Sequence, residues 1–242
     1  MGIGLFFFGI SNIRSRWIAI LVGSFIIYHV RPHIMLVMLI SSGIGFMFTT
    51  KGVSLSLRIL FLAGVGVALY FIYRDVLTLV GIDEEQILTQ GLDLTHRATE
   101  LTKSTSGVDI TSYSLPMQIF TFLYRPLFFD APGLLGIIVS FENVFYVLVS
   151  LKLLNFAAMR FLITSNFLVK TAFFGFLTIT IALAQIAGNL GLAMRQKSQV
   201  MILFLFVVIS FLDNEKMMEY RQAMWRQARK LRLSKLQKEK SA

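Results

Sequence analysis

The sequence predicts an all-α integral membrane protein with about six transmembrane helices, a re-entrant or broken half-helix and an amphipathic C-terminal helix. Two observations carry this expectation. Hydrophobic residues make up 56% of the 242 positions, 23 of them phenylalanine, and the mean hydropathy is +0.72. Both values exceed what a soluble domain of this length ordinarily carries. We therefore expect a multi-pass protein of the cell membrane.

Six apolar stretches are the candidate spans, because a helix needs roughly 20 mostly apolar residues to cross a bilayer. They are residues 17–30, 34–49, 57–73, 134–151, 168–187 and 200–212. Small residues in the second and third stretches predict close helix packing there. These are Ser41, Ser42, Gly43, Gly45, Gly64 and Gly66. Residues 1–10 are apolar but short, and Arg14 and Arg16 follow them, so we expect an interfacial lead-in instead of a cleavable signal peptide.

A polar region separates the third and fourth stretches, and we assign residues 74–116 to an extracytoplasmic loop. Its first half approximates a helical stripe, which predicts an amphipathic helix on the membrane surface. Residues 116–129 are apolar again but too short to cross a bilayer, and they contain the Arg125-Pro126 pair. Because proline interrupts the helical hydrogen-bond ladder, this segment predicts a half-helix that lines a cavity.

The chain is expected to form one polytopic domain, residues 1–212, and a basic cytoplasmic tail, residues 213–242. Most of the 23 lysines and arginines fall on the cytoplasmic side if both termini are placed there, as the positive-inside rule requires. The tail has nine Lys or Arg and four Asp or Glu. Apolar residues recur in it at helical spacing, namely Met217, Tyr220, Met224, Ala228 and Leu231. We therefore expect a helix that continues from the sixth span and binds the anionic leaflet, or a membrane or cytoplasmic protein, but not nucleic acid.

Several kinds of chemistry are excluded or disfavoured by composition. The chain has no cysteine, so disulfides, iron–sulfur clusters and thiol nucleophiles are absent. The three histidines are His29, His33 and His96, and only the first two are close in sequence, which does not make a metal site. There is no Asp-x-Asp motif, phosphate-binding glycine loop or Gly-x-Ser-x-Gly elbow. We expect no metal and no cofactor.

Charged residues at the ends and centres of the apolar stretches are the candidate site. Glu142 lies about halfway along the fourth span, where an acid costs roughly 2.5–3.5 kcal/mol on insertion scales, so it must be paired, protonated or functional. Arg31, Arg125 and Arg195 all fall at span ends on the predicted outer face, where topology gives no reason for them. Arginine forks suit phosphate or carboxylate. Taken singly, each of these arginines can also extend to the headgroups or pair with a loop acid.

Four motifs in order resemble those of poorly characterised multispan proteins of bacterial polysaccharide gene clusters, which look like O-antigen or oligosaccharide polymerases of the Wzy type. The motifs are YHVRPH (28–33), YRPLFFDA (124–131), SFEN (140–143) and GNLGLAMRQK (188–197). The resemblance covers about residues 17–210. It departs from the family in length, since such polymerases usually have ten or more spans and this chain has room for about six. The chain is therefore either an abbreviated copy or a protein with another role.

The resemblance implies glycosyl transfer from a polyprenyl-diphosphate-linked oligosaccharide at the outer face of the cytoplasmic membrane. Cationic side chains would stabilise the departing diphosphate and a carboxylate would act as general base. The catalytic residues it implies are Glu142, Arg125 and Arg195. The substrate-binding residues it implies are Arg31, His33, Asp130, Asn143, Asn189 and Gln196.

A second function stays open from the sequence: a non-catalytic oligomeric membrane protein, such as a channel or a membrane subunit of a defence or export assembly. Small residues for helix packing, a basic tail for a partner and buried charges between helices would be sufficient for it. Oligomeric state and ion flux distinguish the two functions.

Overall fold

The computed structural model describes residues 2–48, 55–80, 110, 112–131, 133–185 and 190–240, and within this part every regular element is an α-helix. The helices are α1 (Gly2–Ile10), α2 (Ile13–Val30), α3 (Pro32–Met47), α4 (Leu55–Val80), α5 (Leu115–Tyr124), α6 (Gly133–Leu153), α7 (Phe156–Thr164), α8 (Phe167–Ala184) and α9 (Leu190–Lys240). The expected amphipathic helix between residues 82 and 101 lies outside the described residues, as do Pro132 and Asn189.

Two of the described helices, α6 and α8, are long and apolar enough to cross a membrane. Shorter apolar helical stretches occupy the other early candidate spans and the half-helix: Ser15–Val30, Pro32–Met47, Ile59–Ile72 and Leu115–Tyr124. The all-helical class is thus confirmed for the described residues. Six spans remain a prediction.

The N-terminal segment packs against α2 as a helical hairpin. An added Cβ on Gly9 would lie 2.7 Å from the backbone nitrogen of Ile20, and one on Gly23 would lie 2.7 Å from that of Phe6. Only glycine permits so close an approach of two backbones. Phe6 is buried in the core, so residues 2–10 are part of the helical bundle and not only a lead-in to it.

The crossing of α3 and α8 confirms the close packing expected of the second stretch. Ser41 and Ser42 are buried, and an added Cβ on Gly45 would lie 2.9 Å from the backbone nitrogen of Thr171. On the other side of the crossing, Gly175 faces Ser41. Two small residues spaced four apart on each helix therefore bring the helices together, as in many membrane bundles.

In the third stretch, the described residues do not show such packing. Gly64 and Gly66 are exposed on α4, and no atom of the described residues lies within 4 Å of a Cβ built on either of them. Small residues permit two helices to approach closely, but only if the neighbouring helix lies on the face that carries them. In the described part, α4 turns these glycines away from α3.

Helix α9 joins the bundle to the basic tail without an interruption. It begins at Leu190, ten residues before the expected sixth span, and continues to Lys240. Residues 203, 207 and 211 are buried, whereas residues 216–232 are all exposed. The expectation of a tail helix continuous with the last apolar stretch is therefore confirmed, while the surface that it binds is not identified by the fold.

Candidate functional site

The helix break at Arg125 is present and is stabilised by an ion pair within its own loop. Helix α5 ends at Tyr124, and Arg125 and Pro126 follow in extended or irregular backbone, joined by a cis peptide bond. The Arg125 Nε donates to the Asp130 carboxylate, and the other carboxylate oxygen accepts the Leu127 backbone N–H at 2.5 Å. Both charged side chains are less than one fifth exposed. The sequence-predicted residues Arg125 and Asp130 are therefore direct partners.

The loop after α5 runs back along the buried face of α6. The Pro126 carbonyl accepts hydrogen bonds from Asn143 Nδ2 at 2.7 Å and from the Ser140 hydroxyl at 3.3 Å. At its start, the Tyr124 hydroxyl donates to Ser150 Oγ at 2.7 Å. Buried carbonyls need a partner, and interrupted helices free them. Asn143 supplies the main donor that the break requires, because the Ser140 hydroxyl also donates to the Gly136 carbonyl at the shorter distance of 2.8 Å.

Asn143 also holds a buried lysine. Its side-chain carbonyl accepts a hydrogen bond from Lys197 Nζ, which comes from α9. Asn143 is 0% exposed and Lys197 is 3% exposed. The lysine ammonium lies 6.0 Å from the ring centroid of Tyr146, at the outer limit of a cation–π contact. One asparagine thus links the half-helix break to a buried positive charge.

Glu142 is next to this lysine on the exposed side of α6. Its carboxylate is close enough to interact electrostatically with the Tyr146 hydroxyl, one helical turn further on, and with the Lys197 ammonium. We call Glu142, Asn143, Tyr146 and Lys197 the α6–α9 polar cluster. It combines a buried cation, an amide that fixes the cation in place and an exposed carboxylate.

The surroundings of Glu142 are apolar and exposed. Ile138, Phe141 and Phe145 are 59%, 67% and 55% exposed and lie within one turn of Glu142 on α6. A carboxylate on such a face can accept a proton from a hydroxyl, and a nearby ammonium stabilises negative charge that develops beside it. The cluster therefore has the groups for general acid–base catalysis and for electrostatic stabilisation of a substrate that approaches the exposed face of α6.

The other sequence-predicted residues are placed apart from one another. Arg195 is exposed on α9, and the adjacent Gln196 is half-buried with its Oε1 lacking a partner among the described residues. Arg31 is exposed at the junction of α2 and α3, and His33 is half-buried in the first turn of α3. Asn189 lies outside the described residues. The structure therefore contains two pairs of predicted residues, Glu142 with Asn143 and Arg125 with Asp130. The hydrogen bond from Asn143 to the Pro126 carbonyl connects the two pairs.

Sequence reasoning missed Lys197 and Tyr146. Lys197 falls in a stripe of buried residues on α9 with alternating spacings of three and four: Leu190, Ala193, Lys197, Val200, Phe204, Val207 and Phe211. That periodicity is visible in the sequence and assigns the lysine to the core. Arg195 lies off the stripe, which is why it is exposed. No comparable signal distinguishes Tyr146 from the other aromatic residues of α6.

No protein-family model matches the chain, and neither a curated protein nor a solved structure is significantly similar to it.

Proposed function

We propose that this chain is a multi-pass protein of the cytoplasmic membrane that assembles glycans, by glycosyl transfer from a polyprenyl-diphosphate-linked oligosaccharide at the outer face. The observation that carries the proposal is the exposed Glu142 carboxylate within electrostatic range of the buried Lys197 ammonium, which Asn143 links to the half-helix break. A base and a buried cation at one place are what a transfer with an anionic leaving group needs.

The membrane part of the proposal is supported by the exposed surface of α6. Only 22% of the apolar part of α6 is buried among the described residues, whereas the core helix of a soluble bundle is mostly buried. Leu134, Leu135 and Leu148 are each at least 60% exposed. Apolar surface of this extent needs lipid or another protein against it. With six spans, both termini are cytoplasmic and the polar cluster lies at membrane depth.

In the proposed reaction, the oxygen of an acceptor hydroxyl attacks the anomeric carbon of the lipid-linked sugar. The bond between that carbon and the diphosphate oxygen breaks, and the polyprenyl diphosphate leaves with both bonding electrons. Glu142 takes the proton of the attacking hydroxyl. Lys197, fixed by Asn143, stabilises the negative charge of the leaving group through space, since it is nearly fully buried.

Other residues have supporting parts in this proposal. Arg125 and Asp130 hold the loop after α5 in the conformation that presents the Pro126 carbonyl to Asn143. Arg195, exposed two positions before Lys197 on α9, would bind a phosphate of the diphosphate. Arg31, His33, Asn189 and Gln196 remain proposed substrate-binding residues.

The exposed apolar face around Glu142 also supports the second candidate, a non-catalytic oligomer. A second subunit packed on this face of α6 would remove Phe141 and Phe145 from lipid and give Glu142 a neighbour. A closed oligomer that conducts ions in liposomes would favour this candidate. A monomer without conductance would favour the transferase.

The deciding experiment uses the full chain reconstituted with a polyprenyl-diphosphate-linked oligosaccharide, and measures lengthened glycan and released polyprenyl diphosphate. Loss of a general base typically costs about 10²–10⁴ in rate, so Glu142→Gln should lower turnover by that factor. The matched control is Glu219→Gln, on the exposed part of α9, which should be as active as the parent. Undiminished turnover in Glu142→Gln would remove the proposed base.

A further inference from the structure

A cavity of about 640 Å³, open on one side, lies beside the C-terminal end of the half-helix and is lined by parts of α5 to α9 and by Phe48 after α3. Its walls are mainly Leu153, Leu162, Phe173, Phe176 and Phe204. Ligand sites typically have volumes of about 300–1,000 Å³ and mostly apolar linings, so this cavity has the size and character of one. None of the residues of the polar cluster lines it.

The cavity wall includes one charged side chain among its described residues, Lys170 of α8. Lys170 is only 6% exposed, and its Nζ donates a hydrogen bond of 2.7 Å to the Phe48 carbonyl. Phe48 follows the last turn of α3 and also lines the cavity. The carbonyl is a neutral partner, and no described residue that lines the cavity is Asp or Glu.

A buried ammonium without a carboxylate is costly, because a neutral carbonyl replaces only part of the hydration that the charge has lost. An anionic group that enters the cavity would offset that cost. It could accept hydrogen bonds from the two N–H groups of the Lys170 ammonium that the Phe48 carbonyl does not use. The rest of the lining would reject a fully polar anion, since it offers almost no hydrogen bonds. A ligand that fits both features has a long apolar chain and an anionic head.

We propose that this cavity binds a lipid phosphate, with the hydrocarbon chain against the phenylalanine and leucine side chains and the phosphate at Lys170. The proposal does not depend on glycosyl transfer, because none of the groups assigned to that reaction lines the cavity. The Tyr124 hydroxyl and Ser150, which bond each other at 2.7 Å, form the other polar part of the wall. The Ser150 hydroxyl in turn donates to the Tyr146 carbonyl at 2.7 Å, so both hydroxyl protons are already engaged and do not compete for the phosphate.

Native mass spectrometry of the full chain in detergent tests the proposal with three probes: polyprenyl phosphate, phosphatidylglycerol and the uncharged polyprenol. A charge-assisted contact should make at least one phosphate lipid bind about tenfold more tightly than polyprenol. Preference for polyprenyl phosphate over phosphatidylglycerol would assign the site to isoprenoid carriers, and comparable binding of the two would assign it to lipid phosphates in general. Polyprenol bound as tightly as both phosphates would overturn the proposal.

Substitutions separate recognition from folding. Lys170→Gln keeps a donor for the Phe48 carbonyl but loses the charge, so it should reduce the preference for phosphate lipids to within about twofold, while Lys170→Arg should retain it. The exposed Lys152, at the last turn of α6, supplies the matched control Lys152→Gln, which should leave binding unchanged. An equal loss in both glutamine variants would mean that Lys170 is not the site.

The apolar part is tested by filling the cavity. Leu162→Trp should weaken binding of all three probes, whereas Leu148→Trp, on the exposed face of α6 and outside the cavity, should not. If Leu162→Trp does not fold, the proposal is still decided by the comparison of phosphate lipids with polyprenol and by the Lys170→Gln and Lys170→Arg variants. Unchanged binding in folded Leu162→Trp would show that the hydrocarbon chain of the lipid does not lie in this cavity.

Discussion

Lys197 donates a hydrogen bond to the side-chain carbonyl of Asn143, and both side chains are almost completely removed from solvent. The same asparagine donates its Nδ2 to the Pro126 carbonyl. Asn143 is thus at the meeting point of α6, α9 and the loop that follows the half-helix. A single amide gives the buried cation an acceptor and gives the Pro126 carbonyl its shorter hydrogen bond, since the bond from Ser140 is 3.3 Å long.

The first prediction concerns this pair. Asn143→Leu should lower the free energy of unfolding by about 1.5–3 kcal/mol, because hydrogen bonds to charged groups contribute that much and the ammonium loses its acceptor. The double variant Asn143→Leu/Lys197→Met should recover part of the loss, since no buried charge remains. Thermal unfolding in one detergent measures both. Strictly additive losses would show that the two side chains are not coupled.

A second prediction concerns the loop between α5 and α6. Asp130→Ala removes the partner of Arg125 and the acceptor of the Leu127 N–H, so the loop should open. The cysteine-free chain allows a single Phe128→Cys reporter, which is half exposed in the parent and should react with maleimide several times faster in the Asp130 variant. Asp130→Asn keeps the backbone acceptor and should react at an intermediate rate. Equal rates in all three would mean that the ion pair does not order the loop.

Arg125→Lys gives a third prediction. Lysine keeps the charge but not the planar guanidinium, so it cannot reproduce the bond between Arg125 Nε and Asp130. We expect Phe128→Cys labelling to rise and glycan transfer to fall in this variant, although its net charge is unchanged. Retained transfer with slow labelling would show that a point charge is sufficient at this position.

The glycines give a fourth prediction with an internal control. Gly45→Ala should destabilise the protein by about 1–3 kcal/mol, because the new Cβ would overpack against the Thr171 backbone. Gly64→Ala should be neutral or stabilising by up to about 1 kcal/mol, since α4 leaves space there and alanine favours helix. Unfolding in sodium dodecyl sulfate measures the difference. A loss of equal size at both positions would contradict the α3–α8 crossing.

The fifth prediction concerns orientation. With both termini cytoplasmic, cysteines introduced in place of Ser106 and Ser241 should react with an impermeant maleimide from opposite sides of the membrane. Both positions lie outside the described residues, so this prediction rests on the distribution of lysine and arginine alone. If both cysteines react from the same side, the predicted number of spans between the two positions is wrong.

Several parts of the fold could be predicted because their signals are local. The break after Tyr124 follows from the Arg125-Pro126 sequence, and the packing at Gly45 follows from small residues four positions apart. Local signals fail where a neighbour decides the outcome. Gly64 and Ala68 are also small residues four positions apart, but Gly64 is exposed because α4 packs with another face. Sequence reasoning about one helix cannot supply the position of the next.

The candidate site was predicted in part for the same reason. Glu142 and Asn143 stand out because they interrupt an apolar stretch, and Arg125 because it precedes a proline. Lys197 does not stand out in the sequence because Arg195, Gln196 and Lys197 form a short polar run just before the expected sixth span. The structure places this run inside α9, where helical periodicity buries the third residue and exposes the first. Periodicity over the whole helix was the stronger signal.

The unbroken course of α9 has a mechanical consequence. At 1.5 Å per residue, its 51 residues extend over about 77 Å, from the packed bundle to the end of the basic tail. Lys197 and Trp225 belong to the same helix, one buried and the other 78% exposed. A partner bound at the exposed end would therefore be joined by continuous helical backbone to the part of α9 that contains Lys197. A displacement of the exposed end can therefore reach the buried lysine through α9 itself, without a contact between that partner and the bundle.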